Sequence, residues 1–270
     1  MSVTEIPELR IDLAPTAEAI GRAGRRLADL LSEAGEPDRP VKGLEWTLGE
    51  LAAHMAGRTA RFAAYLAGSA TPEGEVSDIA TENRADIRER REVALADLVA
   101  ELGARVEAFV ATTRGKLGSD PFPWYSGITL DVATGSGLLL GELVVHGFDA
   151  ARTFGRPWPI AAGDARTIVR AAATLAPWYV DPERTKGDHT TYRVSVRGGP
   201  AFRVRVQDGT ASVEPAAGPA DCTIRADPVT LVLLLYGRIG RTQAAIRGRL
   251  VATGRRPWRA LRFERSFLPP

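Results

Sequence analysis

The periodicity of the chain changes near residue 160, and this change constrains the fold more than any other feature. Before that point, apolar residues recur every three to four positions, as they do in amphipathic helices. After it, segments such as "TTYRVSVRG" and "AFRVRVQDG" alternate apolar and polar residues, as half-buried strands do. We therefore predict a helical domain over residues 1–158 and a smaller α+β domain over residues 159–270. A chain of 270 residues is long enough for two such domains.

The first part contains four main helical segments, the number that an up-down bundle needs. The first runs from near Pro15 to Gly35. The second begins after Thr47, which with Glu50 three residues later forms a capping-box pattern, and it ends at Gly68.

The third and fourth segments are less sharply bounded. Residues 79–116 are predicted as two helical pieces that break near Val93, and "GSDPFPWYSG" after them is predicted as a loop. The fourth helix, capped by Thr134 or Ser136, runs to about Phe154. It is the most apolar of the four.

The second part mixes helices and strands. Asp208-Gly209 between two alternating runs predicts a tight β-hairpin. "DCTIRAD" is predicted as a further strand and "WRALRFERSF" as the last one. Helices are expected over residues 163–178, 228–236 and 242–248.

Charge and composition exclude several classes of protein. The net charge is only +2, and no run of like charges or interleaved aromatic and basic residues indicates a nucleic-acid partner. We expect no membrane partner, because no segment is long and apolar enough to span a bilayer and the N-terminus lacks the pattern of a signal peptide. The single cysteine, Cys222, fits a reducing cytoplasm. A monomer is the expected state.

Two helices place histidines where apolar residues are expected. His54 lies in the middle of the second helix, and Glu142 and His146 lie four positions apart, on one face of the fourth. A buried carboxylate must be paired, protonated or bound to a metal. Two imidazoles and one carboxylate would bind a divalent metal and leave one coordination position open, as in catalytic sites. Zinc, nickel, cobalt and iron all suit these ligands. Spacing alone also allows a hydrogen-bonded core histidine and a solvated Glu–His pair.

The same residues carry a family resemblance. "WTLGELAAHMAG" (46–57) and "GELVVHGFDAARTFGRPW" (141–158) resemble the mycothiol-dependent maleylpyruvate isomerase family. The resemblance implies a DinB-like four-helix bundle followed by a domain similar to sterol carrier protein type two. It also implies that His54, Glu142 and His146 bind the metal, usually zinc, and that the cosubstrate is mycothiol, the low-molecular-weight thiol of actinobacteria.

The resemblance extends to residues outside the metal site. Asp149 matches a family aspartate that could support His146, although a surface or capping role is also open. Trp46 matches the motif and is interpreted as a packing residue. "DCTIRADPVTLVLLLYGR" matches the C-terminal domain, and it places Arg238 where family members can bind a substrate carboxylate. Arg84 is a second candidate, and both arginines are assigned catalytic and cofactor-binding roles; an exposed helix-end arginine is the alternative.

Together with the family resemblance, these residues imply thiol chemistry with an external thiol. Cys222 lies in a predicted strand and is expected in the core, and His189 is expected in a solvated loop. A metal-bound thiol is deprotonated at neutral pH, so mycothiol would attack a small electrophile as a thiolate. The same metal ligands would serve cis–trans isomerisation and S-transfer. A third alternative is hydrolysis by a metal-activated water. The alternatives are a non-catalytic metal- or lipid-binding protein and a regulatory bundle. The last residues depart from the family ending, which leaves the substrate open.

Overall fold

The computed structural model describes residues 6–246 and 248–268. The chain forms two compact units. One is Ile11–Ile160, and the other contains the described residues from Ala161 onward together with residues 6–10.

The first unit is a helical bundle with five α-helices in its described residues, two of which make up the third predicted segment. They are α1 (Leu13–Ser32), α2 (Leu48–Ala67), α3 (Ile79–Glu89), α4 (Leu95–Thr113) and α5 (Val132–Thr153). α1 and α2 each pack against both α4 and α5, so α2 and α5 are neighbours around the bundle. The helical bundle and the break near Val93 are therefore confirmed.

Local capping sets where α2 and α5 begin. Thr47 Oγ1 accepts from the Glu50 amide at 3.2 Å, and the Glu50 carboxylate accepts from the Thr47 amide at 2.8 Å, which confirms the capping box. For α5 the prediction of Thr134 or Ser136 as the cap is wrong. Asp131 caps this helix, because its carboxylate accepts from the Thr134 amide at 2.6 Å and satisfies one of the free donors of the first turn.

A short β-hairpin replaces the loop predicted between α4 and α5. β1 (Pro121–Pro123) pairs antiparallel with β2 (Thr129–Asp131). Ser126 and Gly127 turn the chain with φ of 58° and 65°. The prolines suggested a loop, but Phe122 and Trp124 pack against Phe62 of α2 and bury the hairpin against the bundle. Tertiary packing overrides the local signal here.

The second unit is an α+β domain, as predicted. Its strands are β3 (His189–Val196), β4 (Ala201–Gln207), β5 (Thr210–Pro215), β6 (Cys222–Ala226) and β7 (Leu250–Thr253). They form a five-stranded sheet in the order β5-β4-β3-β6-β7, in which only β3 and β6 are parallel. Asp208 and Gly209 have φ of 44° and 82° and close the β4–β5 hairpin, which confirms that turn. The helices are α6 (Ala162–Tyr179), α7 (Pro228–Leu235), α8 (Arg241–Ile246) and α9 (Ala260–Phe263).

The last strand was predicted in the wrong place. The segment "WRALRFERSF" forms short helical turns, Pro257–Arg259, α9 and Glu264–Ser266. Its Phe263 packs edge-on against Tyr192 in the sheet core, with ring centroids 5.0 Å apart. The strand that completes the sheet is β7, which pairs with β6. Within the described residues no helix has the length and apolar character needed to cross a bilayer.

Gly147 lets a tryptophan pack directly on the backbone of α5. A Cβ at this position would lie closer than 3.0 Å to ring atoms of Trp158. The guanidinium of Arg26 in α1 covers the same ring, 4.0 Å from its centroid. The end of the bundle segment is thus fixed against the helix that contains Glu142 and His146.

Replacing Gly147 by Ala is expected to lower the free energy of unfolding by roughly 1–3 kcal/mol, because the added methyl group overlaps the Trp158 ring. Gly103→Ala in α4 is the matched control, since its Cβ would meet no atom within 4 Å. This control is expected to gain roughly 0.5–1 kcal/mol from the better helix former. Urea midpoints followed by circular dichroism measure both. Equal midpoints for the two variants would contradict the packing account.

Candidate metal centre

Three side chains from α2 and α5 meet inside the bundle. His54 comes from α2, and Glu142 and His146 come from adjacent turns of α5. Glu142 Oε2 lies 3.8 Å from His54 Nε2 and 3.5 Å from His146 Nε2. The two imidazole centroids are 4.9 Å apart. The structure therefore places together the three residues assigned as metal ligands from the sequence.

The spacing of these atoms fits a single metal ion. One ligand atom from each residue lies within 4.8 Å of the other two. Ligands at the usual zinc distances are roughly 3.4 Å apart in a tetrahedron, so small side-chain movements would close the site. The set has nitrogen and oxygen donors only, which also suits other divalent metals.

Burial makes the arrangement costly without a further partner. The relative exposure of His54 is 1% and that of His146 is 7%. Both ring nitrogens of His54 are buried and have no hydrogen-bond partner among the described residues. Such unsatisfied groups each cost about 1–3 kcal/mol. A cation between the two imidazoles and the carboxylate would satisfy a nitrogen of each ring.

The electrostatics keep the carboxylate ionised and the first histidine neutral. Burial lowers the pKa of His54 to about 4, so this imidazole is neutral near pH 7. Burial alone would raise the pKa of Glu142, but Arg58 and the two histidines outweigh it and hold the pKa well below its usual value. Burial opposes protonation of His146 too, but Asp149 and Glu142 outweigh it and raise its pKa. A cation bound at the cluster would therefore have to displace any proton held by His146.

Asp149 lies behind the second histidine. Its Oδ2 is 3.4 Å from His146 Nδ1, and its exposure is 2%. This contact turns Nε2 of His146 toward Glu142. A carboxylate behind a ligating histidine orients the ring and raises its basicity. The geometry thus favours a role for Asp149 in supporting His146 over the surface or capping role that the sequence also allowed.

Trp46 closes one side of the cluster. Its ring centroid lies 4.9 Å from that of His54 and 5.9 Å from that of His146. The loop before α2 delivers it, because the Val41 amide donates to the Trp46 carbonyl at 2.8 Å just before the Thr47 cap. Trp46 is therefore a packing residue of the site itself, and it limits access of water to the two imidazoles.

Arg58 is the residue of the site that sequence reasoning missed. Its Nε donates to Glu142 Oε1 at 3.1 Å, and its exposure is 3%. The available signal was its position one turn after His54 in an otherwise apolar stretch of α2. Glu142 and His146 are also four positions apart in an apolar helix, and that spacing identified them. Arg58 was not identified in the same way, because an arginine in a helix is ordinarily interpreted as solvated.

The comparisons with known proteins match this architecture. The sequence profile of the mycothiol maleylpyruvate isomerase N-terminal domain family matches residues 17–151. The chain belongs to this family. The profile of the SCP-2 sterol transfer family matches residues 172–255 of the same chain. A search of curated proteins found no match.

Two solved structures show the fold of the family. They are the mycothiol-dependent maleylpyruvate isomerase and a variant of it with one histidine replaced by alanine. Each aligns over 94% of this chain and 95% of the other, with a TM-score of 0.55 and 16% identity. At this identity, the likeness concerns the fold.

The two arginines assigned from the family resemblance lie on other elements. Arg84 is exposed on α3, and its guanidinium donates to Thr81 Oγ1 at 3.1 Å. Arg238 follows α7 in the second unit and donates to the Tyr236 carbonyl. Their assigned roles stay predictions.

Cys222 and His189 take no part in this cluster. Cys222 is buried at the start of β6, where burial raises the pKa of its thiol, and this confirms its place in the core. His189 is exposed as expected, but it begins β3 and is not in a loop.

In the metal-free protein, Glu142→Gln is expected to lower the free energy of unfolding by roughly 1.5–3 kcal/mol. The amide keeps the shape of the side chain but gives up the negative charge that faces buried Arg58. Glu18→Gln, in an exposed pair with Arg22, should cost less than about 1 kcal/mol. Chelator-treated samples in urea test both. A Glu142→Gln protein more stable than wild type would show that the carboxylate is repelled, not paired.

Proposed function

We propose that the chain is a divalent-metal-dependent enzyme, with zinc as the first candidate, that uses mycothiol as a thiolate on a small electrophilic substrate. The reaction we favour is cis–trans isomerisation of a maleylpyruvate-type compound. Membership of the family and the likeness to mycothiol-dependent maleylpyruvate isomerase support the enzyme and its thiol.

One observation carries the proposal, namely the cluster of two buried histidines, His54 and His146, with the half-buried Glu142 between them. Three protein ligands leave a coordination position for a fourth group, which is the pattern of a catalytic metal site. A divalent metal bound there would supply a Lewis acid that keeps a bound thiol deprotonated at neutral pH. The single cysteine of the chain is buried in the second unit, so the thiol is external.

The residues around the set have separate tasks. The neutral His54 imidazole and the ionised Glu142 are ready to bind a cation without first losing a proton. Asp149 orients His146, and Trp46 shields the rings from water. Exclusion of water strengthens electrostatic interactions at the reacting groups.

The favoured reaction needs only a reversible nucleophile. A thiolate that adds to one carbon of a conjugated double bond converts it to a single bond, with the electron pair moving onto the conjugated carbonyl. Rotation about that single bond and departure of the thiolate restore the double bond in the trans form. No atom or electron is gained or lost, so the thiol is regenerated and no other cofactor is needed.

Arg84 and Arg238 complete the proposal as groups for polar parts of the ligands. A guanidinium binds a carboxylate with two parallel hydrogen bonds, and a maleylpyruvate-type substrate presents carboxylates of this kind. We propose that these two arginines bind the substrate carboxylate or the polar part of the thiol.

The metal assignment predicts the metal content of purified variants. Wild-type protein is expected to retain stoichiometric divalent metal after dialysis, and His54→Ala is expected to lose it, because one of three ligands is gone. His189→Ala removes an exposed histidine of β3 and should retain metal like wild type. Elemental analysis by mass spectrometry measures all three. Equal metal in wild type and His54→Ala would contradict the assignment.

The reaction predicts activity that depends on both metal and thiol. Maleylpyruvate mixed with the enzyme and mycothiol should convert to its trans isomer, with mycothiol recovered unchanged. Treatment with a chelator should abolish this conversion, and added zinc should restore it.

The products distinguish this reaction from its rivals. A stable sulfur adduct in place of the trans isomer would show S-transfer. An inactive, metal-free protein that co-purifies with an apolar lipid would instead favour lipid binding, to which the SCP-2 match of residues 172–255 points.

A further inference from the structure

The two oxygens of the Glu142 carboxylate have different partners. Oε2 faces the imidazoles, 3.5 Å from His146 Nε2 and 3.8 Å from His54 Nε2. Oε1 accepts a hydrogen bond of 3.1 Å from Arg58 Nε. The cluster that could hold a metal therefore has one carboxylate oxygen directed into it and one held by a guanidinium.

Arg58 is held in place by aromatic rings. Its guanidinium carbon lies 5.1 Å from the ring centroid of Phe62 and 5.6 Å from that of Trp124. Trp124 follows strand β1 and is 2% exposed, so the hairpin that the sequence did not predict forms one wall around the guanidinium. A planar guanidinium confined between rings and a carboxylate has little freedom to turn.

A purely structural ion pair does not account well for this arrangement. Burying a charged group such as Arg58 costs several kcal/mol, and an ion pair inside a protein is often no more stabilising than apolar residues of similar volume. Arg58 is 3% exposed in a stretch of α2 where Met55, Ala56 and Phe62 fill the core. Its neighbours in this stretch are apolar, so packing alone does not call for a charge at position 58, and this points to a role for the charge at Glu142.

The role of this charge follows from the number of coordination positions on a bound metal. With His54, His146 and one oxygen of Glu142, a metal has three protein ligands and one position left for a thiol. If both oxygens of Glu142 were bound, the carboxylate would take that remaining position. A charge-assisted hydrogen bond to Oε1 is strong enough to keep that oxygen occupied.

We propose that Arg58 is a positioning residue that restricts Glu142 to a single ligating oxygen, Oε2, and so keeps a coordination position open for the thiol. This inference rests on the proposed metal centre. Arg58 acts through Glu142 and is not assigned a contact with substrate.

Cobalt(II) substitution tests the proposal, because its visible absorption is intense with four ligands and weak with five or more. The probes are cobalt(II) alone and then cobalt(II) with mycothiol, added to the full chain. In Arg58→Met and Arg58→Gln, Glu142 should bind with both oxygens, so that mycothiol enters as a fifth ligand. The visible absorption of the mycothiol-bound cobalt protein should then be weaker than in wild type. The affinity of both variants for mycothiol, followed by the sulfur-to-cobalt charge-transfer band, should fall by about tenfold or more. Arg58→Lys keeps a charged donor and should restore much of both signals.

The matched control is Arg61→Gln on the same helix. Arg61 pairs with Asp86 and Glu82 of α3, so its loss should lower the melting temperature and leave the cobalt spectrum unchanged. Met at position 58 suits the space between two rings and keeps the test open if the Gln variant does not fold.

The outcomes separate this inference from the proposed function. Wild-type protein that binds cobalt and mycothiol, together with Arg58→Met and Arg58→Gln spectra that match it, would overturn the positioning role and leave the metal centre intact. Wild-type protein that binds no cobalt would overturn both.

Discussion

The pairing of one half-buried, ionised carboxylate is the constraint on which this bundle depends. Glu142 lies on an apolar helix, where a charge is expensive unless it is matched on several sides. Here Arg58 takes one oxygen at 3.1 Å and the two imidazoles face the other. Because these partners hold its pKa well below the usual value, the group stays negative inside the protein. Two imidazole nitrogens beside a fixed negative oxygen form a site that attracts a divalent cation.

Other contacts in the first unit hold Arg58, His54 and His146 in position around Glu142. The capping box at Thr47 and Glu50 fixes the start of α2, and with it the position of His54 and the Trp46 ring. Gly147 lets Trp158 approach α5 just beyond His146. The β1–β2 hairpin brings Trp124 against Arg58. Each of these contacts, like the three candidate metal ligands, lies within Ile11–Ile160.

Sequence reasoning succeeded where the signal is local and failed where tertiary contacts decide. The capping box of Thr47 with Glu50 and the turn at Asp208 and Gly209 each depend on residues no more than four positions apart. The candidate ligands His54, Glu142 and His146 could be identified because they interrupt apolar helices. The two prolines of the β1–β2 hairpin predicted a loop, but packing against Phe62 makes the segment a hairpin. The final segment alternates like a strand, but packing against Tyr192 holds it as short helical turns. Arg58 was missed because an arginine in a helix is usually interpreted as solvated. Only the folded chain shows that it is paired with the carboxylate of Glu142. The roles of Arg84 and Arg238, the monomeric state and the cytoplasmic location stay predictions.

X-ray absorption at the zinc edge tests the central claim most directly. The account predicts that zinc-loaded protein has only nitrogen and oxygen neighbours, at about 2.0–2.2 Å, and that mycothiol adds one sulfur at about 2.3 Å. A zinc spectrum that does not change when mycothiol is added would contradict it, because the position that His54, Glu142 and His146 leave open would then not accept the thiol.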